Sequence, residues 1–149
     1  MQKTKLLELI AKHFMIDINR MDKAVILRKI VATVCSIISL KTRKETCNPR
    51  YVDDWSEEDF IIGHQDVVAL ILSECLGGKI LYNQKYDYYW IKLTNGEYLH
   101  AMLFRLPSGS LLIADEELSL DEMITKNKDN VAERFNALKN KILEAFPNQ

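Results

Sequence analysis

Cysteine is scarce in this chain, charge of either sign is barely in excess, and no apolar run is long. The three cysteines, Cys35, Cys47 and Cys75, form an odd and widely spaced set with no metal-ligand spacing. That excludes a disulfide framework and points to reduced thiols in a cytoplasmic compartment. The 20 Lys and Arg residues against 21 Asp and Glu leave a formal net charge of −1. No overall field therefore draws the chain to nucleic acid or to an anionic membrane. The most apolar stretch, Ala24 to Leu40, contains Arg28 and Lys29. Its charge-free part, Ile30 to Leu40, falls short of the roughly 20 residues that a spanning helix needs. Acidic and basic residues interrupt the apolar ones from Met1 to Glu8, unlike a secretory signal. No internal repeat, low-complexity tract or linker breaks the chain.

What is present suits one α+β domain over residues 1–149, since 149 residues that are 48% hydrophobic suffice for a sizeable core. Leu6, Leu7, Ile10 and Phe14 recur at helical spacing, so roughly residues 3–15 are expected to be an amphipathic helix. Asp22 is placed to cap a second helix running to about Leu40, with Val25, Ile26, Ile30, Val34, Ile37 and Ile38 inward. Residues 41–62 lose periodicity. Lys41, Arg43, Lys44, Asn48, Pro49 and Arg50 read as a polar loop, and Asp53 to Glu58 as a turn or short helix held by Trp55.

From Asp66 to Leu76 apolar residues occupy nearly every side of the helical wheel, leaving only Ser73 and Glu74 polar. A helix apolar all round belongs inside a domain. Asp66 suits its N-cap, and Gly77-Gly78 suits a left-handed end. Strand signals follow at Lys79–Tyr82, at Tyr88–Leu93, and after the Thr94-Asn95-Gly96 turn from Glu97 to Phe104. Pro107-Ser108-Gly109 precedes one more, Ser110 to Ala114, completing an antiparallel meander of three or four strands. Asp121 opens a helical region, and Val131, Phe135, Leu138, Ile142 and Phe146 mark a final amphipathic helix.

A helix, a loop, a buried helix opening after a glycine, and then antiparallel strands is the order of papain-like cysteine hydrolases. Within that group the chain resembles the YunG-like family of small bacterial proteins. The matching pieces are Glu45-Thr46-Cys47, Trp55-Ser56, Gly63-x-x-x-Val67-x-Ala69-Leu70, and Gly77-Gly78-Lys79-Ile80-Leu81. Tyr89-Trp90-x-Lys92-Leu93-x-x-Gly96 and the tail from Asn127 through Arg134-Phe135-x-x-Leu138-Lys139 complete them. The resemblance covers roughly residues 39–146, so residues 1–38 read as an N-terminal helical part and 39–149 as a YunG-like core. It implies a papain-like arrangement, with the buried central helix packed on a small antiparallel sheet.

Laid on this chain, the family's cysteine falls on Gln65, its histidine on Tyr88, and its acid on or near His100. All three positions depart from the pattern. In such folds a helix-end cysteine works because N–H groups and a histidine stabilise its thiolate. A glutamine forms no such nucleophile, and a tyrosine near neutral pH is no base.

The expectation is therefore a catalytically inactive, papain-like domain of bacterial or phage origin. It would act as a protein-binding or inhibitory module, with no cofactor and no metal. Candidate binding residues are His64, Gln65, Asp66, Tyr88, Trp90 and His100. Alternation puts Tyr88, Trp90 and Lys92 on a face suited to a partner protein, or to ordinary cross-strand packing, and Tyr89, Ile91 and Leu93 toward the core. The plainer reading makes Asp66 a cap and Gln65 a space-filler. His64 and His100 would then be partly exposed and unrelated, and His13 a surface residue. The alternative is an active cysteine hydrolase using Cys47, whose neighbours Arg43, Lys44 and Arg50 would favour a thiolate. Cys35 and Cys75 sit in apolar helices as core fillers.

Overall fold

The computed structural model describes residues 5–13, 29, 32–33, 36–37, 40–41, 43–59, 61–94, 96–99 and 113–144. The expected capping of a second helix at Asp22 lies outside these, as do Cys35, His100 and most of the Ser110–Ala114 stretch. Residues 29, 32–33, 36–37 and 40–41 are helical, and Ile37 is buried.

Helix α1, Lys5–His13, turns Leu6 and Ala11 into the core. Helix α2, Gln65–Leu76, is buried along most of its length, with Val67, Val68, Ala69, Leu70, Ile71 and Leu72 all nearly inaccessible. Full burial of a Val, Leu or Ile side chain contributes roughly 1.5–3 kcal/mol, so this one segment dominates the core. It ends at Gly77, which takes the left-handed φ of 77°. Gly78 follows at φ 92°, and a Cβ there would lie 2.4 Å from the Lys92 carbonyl oxygen. The close approach of two backbones explains that glycine.

Strands β1 (Lys79–Asn83) and β2 (Tyr88–Lys92) form a hairpin in which Tyr82 faces Tyr89 and Ile80 faces Ile91. Strand β3, Tyr98–Leu99, pairs with β2. Of the strand expected at Ser110–Ala114 only residues 113–114 are described, and they are irregular; a further strand, β4, is Glu116–Leu118. It pairs with β1 and not with β3, giving the antiparallel order β3-β2-β1-β4. The cause is apolar matching, since the register sets Leu118 opposite the fully buried Ile80.

Helix α3, Leu120–Lys126, opens on a capping box: Ser119 Oγ accepts from Glu122 N, and the Glu122 carboxylate accepts from Ser119 N. Helix α4, Val131–Glu144, buries Val131, Arg134, Phe135, Leu138 and Ile142. The result is a mixed α+β domain in which α2 lies against α1, α3, α4 and the β1–β2 hairpin. Among the described residues no helix is long and apolar enough to cross a membrane.

Candidate functional site

The start of α2 is assembled from two segments that the sequence keeps apart. Residues 46–48 are buried and run beside residues 61–64, with Asn48 N donating to Gly63 O at 2.8 Å. Gly63 has φ 74°, and a Cβ on it would stand 2.3 Å from Cys47 Sγ. The Thr46-Cys47 pair and the glycine before the helix are thus two halves of one packing contact.

His64 is fully buried, not partly exposed as the sequence suggested. Its Nε2 lies 2.7 Å from Thr46 Oγ1 and its Nδ1 3.0 Å from Ile62 O. Facing a carbonyl, Nδ1 is the donor there, while Nε2 and the Arg43 carbonyl, 2.9 Å away, both lie within reach of the single Thr46 hydroxyl proton. Burial holds its pKa below the ordinary value. Trp55 packs beside it at a centroid distance of 6.3 Å. His64 is a strut beneath the helix start, with both ring nitrogens facing polar partners.

Asp66 is the second residue of α2, not its cap; His64 holds the cap position. The Asp66 carboxylate forms a bidentate pair with Arg134 of α4, at 3.1 Å and 2.5 Å, and Oδ1 also accepts from Val67 N. Both side chains are about 5% exposed. Arg134 Nε donates to the Asp129 carbonyl, so each guanidinium nitrogen is used. Two helices are therefore joined through a dry charge pair, and Asp66 is not free to bind or to act as an acid.

Cys47 does not behave as its neighbours in the sequence implied. The thiol is buried, 3% exposed, with Sγ facing the Asn48 and Ile62 carbonyls. Burial pushes its pKa up to about 11; the Arg134 charge opposes that rise, and Asp66 and Asp54 add to it. Arg43, Lys44 and Arg50 are exposed and do not activate it. At neutral pH the group is a thiol, not a thiolate. Cys75 is likewise buried, and Cys47 and Cys75 are both free.

Tyr88 and Trp90 were candidates for an exposed binding face and are instead 1% and 5% exposed. Their rings pack together at 5.8 Å. Alternation separates the two faces of β2 as expected, but both are covered. Tyr88 also lies on the opposite face from Tyr89, and it is Tyr89 that shares a cavity with Gln65. The residue facing the helix start from the strand is therefore one position further on than the alignment suggested.

That cavity is an open cleft of about 470 Å³. Gly63 and Gln65 line it together with Asn48, Tyr51, Tyr86 and Tyr89. Gln65 Oε1 is buried without a hydrogen-bond partner. One wall is stiffened by Asp87, at φ 49° in the β1–β2 turn. Its carboxylate accepts from Tyr51 Oη in a short bond, from Tyr82 Oη at 2.7 Å and from Arg50 at 3.1 Å. Burial pushes that carboxyl up, but bonds from Tyr51 and Tyr82 and the Arg50 charge hold it below its ordinary value. The bond to Asp87 in turn raises Tyr51 to about 12. Arg50 also reaches Asp129 at 3.0 Å, and Asn48 Nδ2 donates to the same carboxylate. The cleft is preorganised, and no described residue in it is an activated nucleophile.

Sequence reasoning named Gln65 and Asp66 but missed Tyr51, Asp87 and Arg134, and it assigned Tyr89 to the core. His100 lies outside the described residues. No group of three or more His, Cys, Asp or Glu side chains is placed to hold a metal among the described residues. The model of the YunG protein family matches residues 31–147, reaching into the helical stretch before residue 39. No curated protein and no solved structure matches the chain significantly.

Proposed function

The chain belongs to the YunG protein family, and from that premise we propose that it is a catalytically inactive domain on a papain-like plan. It works by binding a segment of another protein in the cleft at the start of α2. The observation that carries this reading is the contrast between a built cleft and missing chemistry. Gln65 occupies the first helical position with an unmet acceptor, while the thiol nearest the helix start, Cys47, is buried and protonated. The Tyr88–Trp90 face no longer contributes to the reading, because it is internal. The same proposal includes a bacterial or phage origin and a cytoplasmic setting, supported by the family resemblance and by the free thiols Cys47 and Cys75.

Two measurements test it. Native protein treated with a thiol-reactive hydrolase probe at neutral pH should leave Cys47 unlabelled; rapid, selective labelling would establish the rival hydrolase reading. Amide spectra of the labelled chain titrated with a mixture of short peptides should move at Gly63 and Gln65, and Gln65→Leu should suppress the movement. Shifts confined to other surfaces would end the cleft-binding reading.

A further inference from the structure

We infer that the cleft receives a cationic nitrogen, the ammonium or guanidinium end of a lysine or arginine side chain on the partner protein; this rests on the binding reading above. The sign of the charge on its walls carries the inference. Among the described residues three carboxylates line the cleft, Asp54, Asp66 and Asp87, and no Lys, Arg or His does. A helix start ordinarily favours anions, through free N–H groups and the macrodipole. Here that preference is already met from within, because Asp66 accepts from Val67 N. Arg134, which neutralises Asp66, is buried behind it and presents no charge to the cleft. An incoming anion would meet carboxylates, and the half-exposed Arg50 beside the lining Asp87 is already shared between Asp87 and Asp129.

The three carboxylates differ in what they leave open. Asp66 is closed by Arg134, and Asp87 is engaged by two tyrosine hydroxyls and Arg50. Asp54 is exposed and so remains open to a ligand. Gln65, also on the lining, has Oε1 buried as an acceptor without a donor. Tyr89 also lines the cleft, and ring faces attract cations. The protein already uses that attraction nearby, with Lys128 Nζ 4.6 Å from the Tyr82 centroid and Lys85 Nζ 5.3 Å from that of Tyr86. A volume of about 470 Å³ admits one long side chain, its head bonded to the Gln65 carbonyl and its charge offset by Asp54.

The test is an amide-resolved titration of the whole chain with the N-acetyl amides of arginine, lysine, glutamine and glutamate, and with putrescine as a free diamine. The arginine and lysine amides should move Gly63 and Gln65 most, the glutamine amide less, and the glutamate amide not at all. Asp54→Asn, on an exposed turn, should weaken the two cationic ligands about threefold to fivefold and leave the glutamine amide unchanged. Its unaltered spectrum elsewhere checks the fold. Preference for glutamate, or no effect of Asp54→Asn on the cations, overturns the charge inference while leaving cleft binding standing. Tighter binding of putrescine than of either cationic amide overturns the assignment to a protein side chain. Silence of the cleft toward all five probes defeats both this inference and the binding reading beneath it.

Discussion

Replacing Arg134 with alanine removes one half of a buried charge pair and leaves Asp66 uncompensated. The pair is bidentate and both side chains are about 5% exposed, so although Asp66 borders the cleft little water reaches the carboxylate. Breaking such a pair from one side costs about 3–5 kcal/mol, because desolvation of the surviving charge is no longer offset. In a chain of 149 residues each kcal/mol moves Tm by roughly 2–4 °C, so a drop on the order of 10–15 °C is expected by circular dichroism. The same physics makes the double variant Asp66→Leu, Arg134→Met far milder, within about 2 kcal/mol of the parent, since no charge then remains to be desolvated. Urea unfolding of the parent, both single variants and the double variant closes the cycle. A single-variant cost below about 1 kcal/mol, or a double-variant cost equal to the sum of the singles, refutes the account of the pair.

Three further outcomes follow from the same geometry. Gly63→Ala should destabilise by at least about 2 kcal/mol, since it combines a left-handed φ with a Cβ 2.3 Å from Cys47 Sγ; adding Cys47→Ala should recover the steric part only, and urea midpoints that do not differ between the two variants would contradict this. Tyr88→Ala and Trp90→Ala should each cost about 3–5 kcal/mol as core truncations, so thermal melts near the parent's would show that these rings are not internal. Burial holds the folded His64 below its ordinary 6.5, so the unfolded chain takes up the proton more readily and stability rises with pH. That contribution is complete above about pH 6.5 and is lost as pH falls from there through the lower folded value. His64→Gln should flatten the change in urea midpoint between about pH 7.5 and about pH 5.5, and an unchanged slope would locate the effect elsewhere.

Much of the fold was legible because it is local. A helix apolar on all sides announced α2, and the expected span differed from the observed Gln65–Leu76 by one residue. Gly77 ended it as expected, and the 3.6-residue stripe of α4 was plain. What failed to show is what depends on distant partners. Asp66 looked like a cap because caps are satisfied within a few residues, whereas its true partner is 68 positions away. A signal did exist: Arg134 falls on the apolar stripe of α4 with Val131, Phe135 and Leu138, and a charge on such a stripe implies a buried counter-charge. Alternation in β2 divided its faces correctly, yet alternation cannot say whether the second face is covered. Cys47 was judged by the cations beside it in the sequence, while its pKa is set by burial and by groups brought near in space. The strand Glu116–Leu118 was not read because two of its three residues are glutamates, and only its pairing with β1, which sets Leu118 opposite Ile80, gives it a place in the sheet.

The Asp66–Arg134 pair also bears on when, during synthesis, the domain can take shape. Until α4 leaves the ribosome, the central helix has an acidic group pointed at a place that is not yet dry, and burying it alone is prohibitive. The hairpin and α2 precede α4 in the chain, yet their final packing must wait for its arrival. A series of stalled chains should accordingly remain open to protease until residue 134 is exposed, then become resistant together. The last helix acts as the key that closes a core laid down well before it.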